Sequence, residues 1–365
     1  MTQEDLVNEK RLLDTFLALV RIESPSGEED EIALYLLDRL KELGVEAERD
    51  RTGNVIGRWP GKGDAVALLA HMDTVRPVRG IRPVVEDGIV RTDGTTILGA
   101  DDKSAIAEVL EMVAIVGERG IGHIPLEIVF TVGEETGLLG ANGLDCGSLQ
   151  AKWGVILDDE HENQIVSSAP YHLLMHAKVR GKPAHAGLSP EEGVNAIRVA
   201  AEAVSAMKLG RIDEETTANI GYFHGGEATN IVTPLVELRW ETRSLDEAKV
   251  QAQNADMVRA LEEAANRYGA ELEMELAYSH EGYQWSEDDL PVKRLAAAMR
   301  TVGLKPVLAG SMGGTDANVL NVRGIPAVVM GTGMRKPHAM DEHIAVADMV
   351  RATRVLVALA TENDS

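Results

Sequence analysis

Several short apolar runs in this sequence end on side chains that can bind metal or move protons. Val66-Ala67-Leu68-Leu69-Ala70 runs into His71, with Asp73 two residues on. A neutral imidazole is a good zinc ligand, and its second nitrogen needs an acceptor to fix the tautomer. Asp73 offers a carboxylate for that purpose. Gly99-Ala100-Asp101-Asp102-Lys103 places two acids side by side. Adjacent carboxylates point in different directions, so one of them faces a given site, and an aspartate between two cations can bridge them with its two oxygens. Gly133-Glu134-Glu135-Thr136-Gly137 follows the apolar run Leu126 to Val132. Two glutamates there can divide the work, one binding metal and the other taking a proton from bound water. Asp158 and Asp159 follow Trp153 to Leu157, and Asp158, the first residue past that predicted strand, is preferred. A last run, Ala327 to Met330, leads through a glycine-rich loop to His338, with His343 as its competitor.

Each of these has an ordinary reading: a structural histidine, a helix start decorated with acids, a solvated acidic turn. Their joint occurrence is the signal. Two histidines, two aspartates and a glutamate pair fall in order at the predicted ends of strands. Oxygen and nitrogen donors without thiolate favour zinc, manganese or cobalt. Such a set, with one shared carboxylate, suits two metals about 3.5–4 Å apart, as in two-metal hydrolases.

The elements that must hold these residues read as α/β. Continuous apolar runs of strand length suit strands buried on both faces of a mostly parallel sheet. Amphipathic helices lie between them; Ile106, Val109, Leu110 and Val113 recur at helical spacing after Asp102. Helices are also expected from about Glu4 to Leu43, broken at Ser24-Pro25-Ser26-Gly27. Sheets of this kind place sites beyond the carboxyl ends of their strands, where the ionisable residues stand. Between about residues 169 and 280 the pattern changes to β-α-β-β-α-β, the order of a ferredoxin-like unit. The expected organisation is a catalytic domain of residues 1–168 and 281–365 interrupted by an inserted α+β domain of residues 169–280.

Composition narrows the field. The 365 residues are enough for two domains, and 44% are hydrophobic against 26% charged. The formal charge of -23 repels phosphate backbones and anionic membranes, so neither nucleic acid nor a membrane is an expected partner. Cys146 is the single cysteine, which suits a reducing compartment. The opening Met1 to Lys10 is polar and acidic, unlike a secretory signal. The cytoplasm is the expected location.

Beyond single residues, the motifs AHMDTV, DGTTILGADDKSAIA, GEETGLLGA, GKPAHAG, TTANIG, ATNIV and GGTDAN run along nearly the whole chain. Together they resemble the co-catalytic dinuclear zinc metallopeptidases of the peptidase T and carboxypeptidase G type, and within them the peptidase T-like group. The resemblance implies that His71, Asp101 and Asp158 bind one metal, and that Asp101, Glu135 and His338 bind the other. It implies two divalent ions, with Zn2+ expected ahead of Co2+ or Mn2+. Asp101 would bridge them, and the peptide bond after it would be cis. Glu134 would be the general base towards a hydroxide bridging the metals, and Asp73 would orient His71. His185, Asn230 and Arg243 match positions that contact substrate, the histidine from a neighbouring subunit. Gly313, Gly314 and Asp316 match a glycine-rich loop beside the substrate. The inserted domain would act as a lid and form a homodimer. The implied activity is tripeptidase-like aminopeptidase cleavage of short peptides. An N-acyl amino-acid deacylase on the same core is the enzymatic alternative, and a catalytically silent peptide- or metal-binding protein is the alternative of another class.

Overall fold

The apolar runs become buried strands. Val66–His71, Leu126–Thr131 and Ala327–Gly331 are buried at every position, and Trp153–Asp159 is buried until its last two residues. These four strands pair in parallel. The computed structural model describes residues 6–361. The expectations for Met1 to Asp5, including a helix start at Glu4, and for the last four residues therefore lie outside the described residues.

The sheet is mixed rather than mostly parallel. Val55–Trp59 joins Leu126–Thr131 antiparallel, and Glu46–Arg49 joins Val55–Trp59 antiparallel. On the other side Gln164–Ala169 runs antiparallel to Ala327–Gly331, and Val307–Gly310 runs parallel to Gln164–Ala169. Only the middle strands need burial on both faces, so the continuous apolar signal marked the middle alone. A small antiparallel sheet of Val84–Glu86, Ile89–Arg91, Met334–Arg335 and His343–Ala345 stands beside it, in strands too short for periodicity to reveal.

Helices flank this sheet. Glu9–Arg21 buries Leu12, Phe16, Leu19 and Val20 at helical spacing, and Asp30–Glu42 buries Ile32, Leu36 and Leu40 likewise. The break between them falls at the Ser24–Gly27 turn. Ala100–Arg119 is buried over most of its length and packs against Glu9–Arg21 and Val346–Ala360. It ends at Gly120, whose positive φ of 61 suits a left-handed cap.

The described chain divides into two compact units. One comprises the chain to Ser168, Trp285–Gly310 and the chain from Thr315; the other comprises Ala169–Gln284 with Ser311–Gly314. In the second unit the order Tyr171–Arg180, Ala196–Ala206, Thr216–Gly225, Leu235–Ser244, Glu247–Tyr268, Glu271–His280 is strand, helix, strand, strand, helix, strand, with Gly210–Arg211 as an added short strand. All neighbouring strands pair antiparallel. Ala177, Val179, Val236, Leu238 and Trp240 meet Val199, Ala203, Met257 and Leu261 from the two helices. Asn195 and Asp246 cap those helices through their side-chain oxygens.

Candidate metal centre

His71 is the last residue of a fully buried strand, so its ring is delivered to the sheet's carboxyl end with little freedom. Glu134 and Glu135 leave the neighbouring strand in a 3-10 turn bracketed by Gly133 and Gly137, both at positive φ. Asp101 and Asp102 open the Ala100–Arg119 helix with non-helical backbone angles, and the bond between them is cis. Gly99 precedes them at φ 72, where an added Cβ would lie 3.1 Å from the Thr74 methyl.

These side chains converge. Asp101 Oδ1 is 2.9 Å from His71 Nε2, and its Oδ2 is 3.1 Å from His338 Nε2. The same His338 nitrogen is 2.8 Å from Glu135 Oε1. Asp158 Oδ1 lies 4.0 Å from His71 Nε2, so of the Asp158–Asp159 pair it is Asp158 that approaches the imidazole. The strand itself continues through Asp159, two residues past its sequence-predicted end, and there the Asp159 carbonyl accepts the Thr332 amide. His343 sits apart, in a strand of the small sheet, with Nδ1 on the Asp341 carbonyl.

Two sets of ligand atoms fall within 4.8 Å of one another: His71, Asp102 and Asp158, and His71, Asp101 and Glu135. Asp102 thus belongs to the cluster as well. Its Oδ2 accepts the His71 backbone N–H at 3.1 Å, and its Oδ1 has no partner among the described residues.

Asp73 connects the loops. His71 Nδ1 is 2.9 Å from the Asp73 carbonyl oxygen and 3.5 Å from its carboxylate. The carboxylate instead accepts the Glu134 N–H at 2.9 Å, the Glu135 N–H at 3.3 Å and the Ser26 hydroxyl at 2.7 Å.

The electrostatics fit bound cations. Burial, and then the charge of Asp158, push Glu134 well above the ordinary carboxylate range. Burial and Asp101 do the same to Asp158. Asp101 is held low because hydrogen bonds from His338 and His71 outweigh its own burial. The bond to Asp101, and then that to Glu135, raise His338 to about 10. Carboxylates and imidazoles gathered this closely are a donor set that divalent cations fit.

Other buried groups support the cluster. Glu342 accepts three backbone N–H groups of the Asp101 loop. Lys103, fully buried and lowered to about 7 by that burial, donates to the Ile22 carbonyl at 2.7 Å. Asp316, raised to about 6 by burial, accepts the Thr131 hydroxyl at 2.6 Å. Glu342 and Lys103 stand within segments the sequence singles out, but backbone acceptors and buried cations leave no spacing signal.

His185, Asn230 and Arg243 belong to the second unit. The Ala186 amide donates to the Asn230 carbonyl at 3.0 Å, and His185 pairs with Ile231, so the first two lie on adjoining segments. His185 Nδ1 accepts the amides of Gly187 and Leu188, both at 3.1 Å. Arg243 donates to Glu241 Oε2 and to the Met312 carbonyl, each at 3.0 Å, while its buried Nε has no partner among the described residues. Glu241 also meets His172 Nε2 at 3.0 Å, and that bond, with Arg243, lowers it to about 2.

The sequence pattern of peptidase family M20/M25/M40 matches residues 67–362. A Bacillus subtilis (strain 168) protein called YqjE is 42% identical over 98% of this chain and 99% of its own length. This chain belongs to peptidase family M20/M25/M40. Among solved structures, this M20 chain matches aminopeptidase PepT from Bacillus cereus ATCC 10987 at 40% identity and TM-score 0.90, covering 98% of this chain and 99% of that one. It matches a tripeptidase from Staphylococcus aureus subsp. aureus mu50 at 38% identity and TM-score 0.93, covering 98% of both chains. Family membership and the acid–imidazole cluster together support metal-dependent peptide-bond hydrolysis at a dinuclear centre.

Proposed function

We propose that this chain is a tripeptidase-like aminopeptidase, with His71, Asp101, Glu135, Asp158 and His338 as metal ligands and Glu134 as general base. The observation that carries the reading is the placement of Asp101, whose two oxygens face two different imidazoles. One carboxylate so placed suits two ions sharing it. The PepT and tripeptidase relatives support the choice of short peptides.

In this reading His71 and Asp158 hold one ion with Asp101, and Glu135 and His338 hold the other with Asp101. Zn2+ is the expected ion, with Co2+ or Mn2+ as substitutes. Such ions lend Lewis acidity that brings water towards ionisation near neutral pH and polarises a carbonyl. Glu134 takes a proton from the attacking water and returns it to the leaving amine. Its place next to Glu135 is fixed through the backbone, because one Asp73 carboxylate holds both amides. In the metal-free chain burial, and then the charge of Asp158, hold Glu134 above the range of a solvated glutamate.

The second unit is assigned a lid and dimer-forming role, with His185 assisting oxyanion stabilisation and Asn230 holding a substrate polar group. Arg243 presents a guanidinium fork to a peptide carboxylate. Sedimentation equilibrium tests the dimer.

Substrate class is tested by incubating metal-loaded protein with tripeptides, dipeptides and N-acyl amino acids and reading products by mass spectrometry. Release of the N-terminal residue from free-amine peptides supports the aminopeptidase. Cleavage of acylated amino acids alone moves the chain to the deacylases. Binding of metal and peptide with no cleavage of any pool member makes it a silent binding protein.

A further inference from the structure

We propose that Glu342 is a positioning residue of the metal centre, locking the turn that carries His338 to the loop that carries Asp101. The inference rests on the reading of Asp101 and His338 as metal ligands.

Glu342 is 1% exposed. Its Oε2 accepts the amides of Leu98 at 2.8 Å and Gly99 at 2.7 Å, and its Oε1 accepts the amide of Asp101 at 3.0 Å. A buried carboxylate that takes several charge-assisted bonds from one backbone segment fixes that segment firmly. These amides open the Ala100–Arg119 helix, and their acceptor comes from more than 240 residues away in the chain.

The other end of the link is equally short. His338 lies four residues before Glu342 in one tight turn. The Ala339 amide donates to Lys336 at 3.3 Å, the Glu342 amide donates to Ala339 at 3.0 Å, and Lys336 pairs with Asp341. A shift of the Glu342 carboxylate therefore moves both partners of the 3.1 Å contact between His338 Nε2 and Asp101 Oδ2. Groups that orient metal ligands typically change affinity by about 10- to 100-fold when removed.

A plain helix cap would satisfy the same amides without touching the metal equilibrium, and the test separates the two. Zn2+ and Co2+ binding to the metal-free full chain is titrated by calorimetry, and the Co2+ absorption spectrum is recorded, for wild type, Glu342→Gln and Glu342→Asp. Glu342→Gln is expected to weaken one metal equivalent by about 10- to 100-fold and to alter the Co2+ spectrum. Glu342→Asp, with the charge on a shorter arm, is expected to recover part of that loss and keeps the test open if the glutamine variant fails to fold. Wild-type affinity and spectrum in both variants, with only a lower melting temperature, would overturn the proposal. His338→Ala is the reference: it should lose the same equivalent. If His338→Ala and Asp101→Asn both bind metal as wild type does, the ligand assignment itself fails, whatever Glu342 does.

Discussion

His71 and Asp73 meet through the main chain: the imidazole Nδ1 is 2.9 Å from the Asp73 carbonyl oxygen but 3.5 Å from its carboxylate. The carboxylate is occupied with the amides of Glu134 and Glu135. Asp73 therefore holds the His71 ring through its backbone and the Glu134–Glu135 turn through its side chain.

Asp73→Ala should accordingly leave His71 held while releasing the glutamate turn. Turnover of a tripeptide is expected to fall by about 10- to 100-fold, with metal bound by the His71 side retained. Steady-state kinetics beside metal analysis checks this. Loss of the His71-side metal with normal turnover per loaded molecule would reverse the division of labour.

Arg243 gives a second prediction. If its guanidinium holds a peptide carboxylate, Arg243→Ala should raise KM for free-acid tripeptides by about tenfold or more, equivalent to losing a charged hydrogen bond of roughly 1.5–3 kcal/mol. C-terminally amidated peptides should be poor substrates of the wild type and little affected by the substitution. Equal effects on acid and amide would remove Arg243 from carboxylate binding.

How far the sequence reached depends on the kind of contact. That His71, Asp101, Glu134, Glu135 and His338 stand together at one end of the sheet was legible because His71 ends an apolar strand, the glutamates and His338 come after others, and Asp101 opens a helix. The flanking antiparallel strands were not legible: Glu46–Arg49 is mostly charged and Val55–Trp59 contains Gly57, so neither reads as a buried run. Glu342 and Lys103 act on backbone groups far away in the chain, and no local spacing encodes such a partner. Asp73 was identified, but the atoms it uses depend on how two loops approach each other.

A third prediction concerns pH and stability away from the candidate metal centre. Glu108 is fully buried in the Ala100–Arg119 helix, and neither carboxylate oxygen has a partner among the described residues. Burial, and then the charges of Asp348 and Glu162, push it well above the ordinary range. An unfolded glutamate ionises near pH ~4.3. Between that value and its folded pKa the native state holds a proton that the unfolded chain releases. The stability is present at low pH and is lost as pH rises through this window. Glu108→Gln should raise the melting temperature of metal-free protein at pH 8 by several degrees, about 1–3 kcal/mol. At pH 4 the gain should largely vanish. Equal gains at both pH values, followed by calorimetric melting, would mean that ionisation is not the cause.

The central claim is that two ions share Asp101 and that Glu134 moves the proton. Its most direct test is metal content and tripeptide turnover measured together on wild type and Glu134→Gln, each stripped and reloaded with Zn2+. About two equivalents of metal in both proteins, with turnover reduced at least ~100-fold in the variant, is the predicted result. A single equivalent in the wild type, or wild-type turnover by Glu134→Gln, would contradict it.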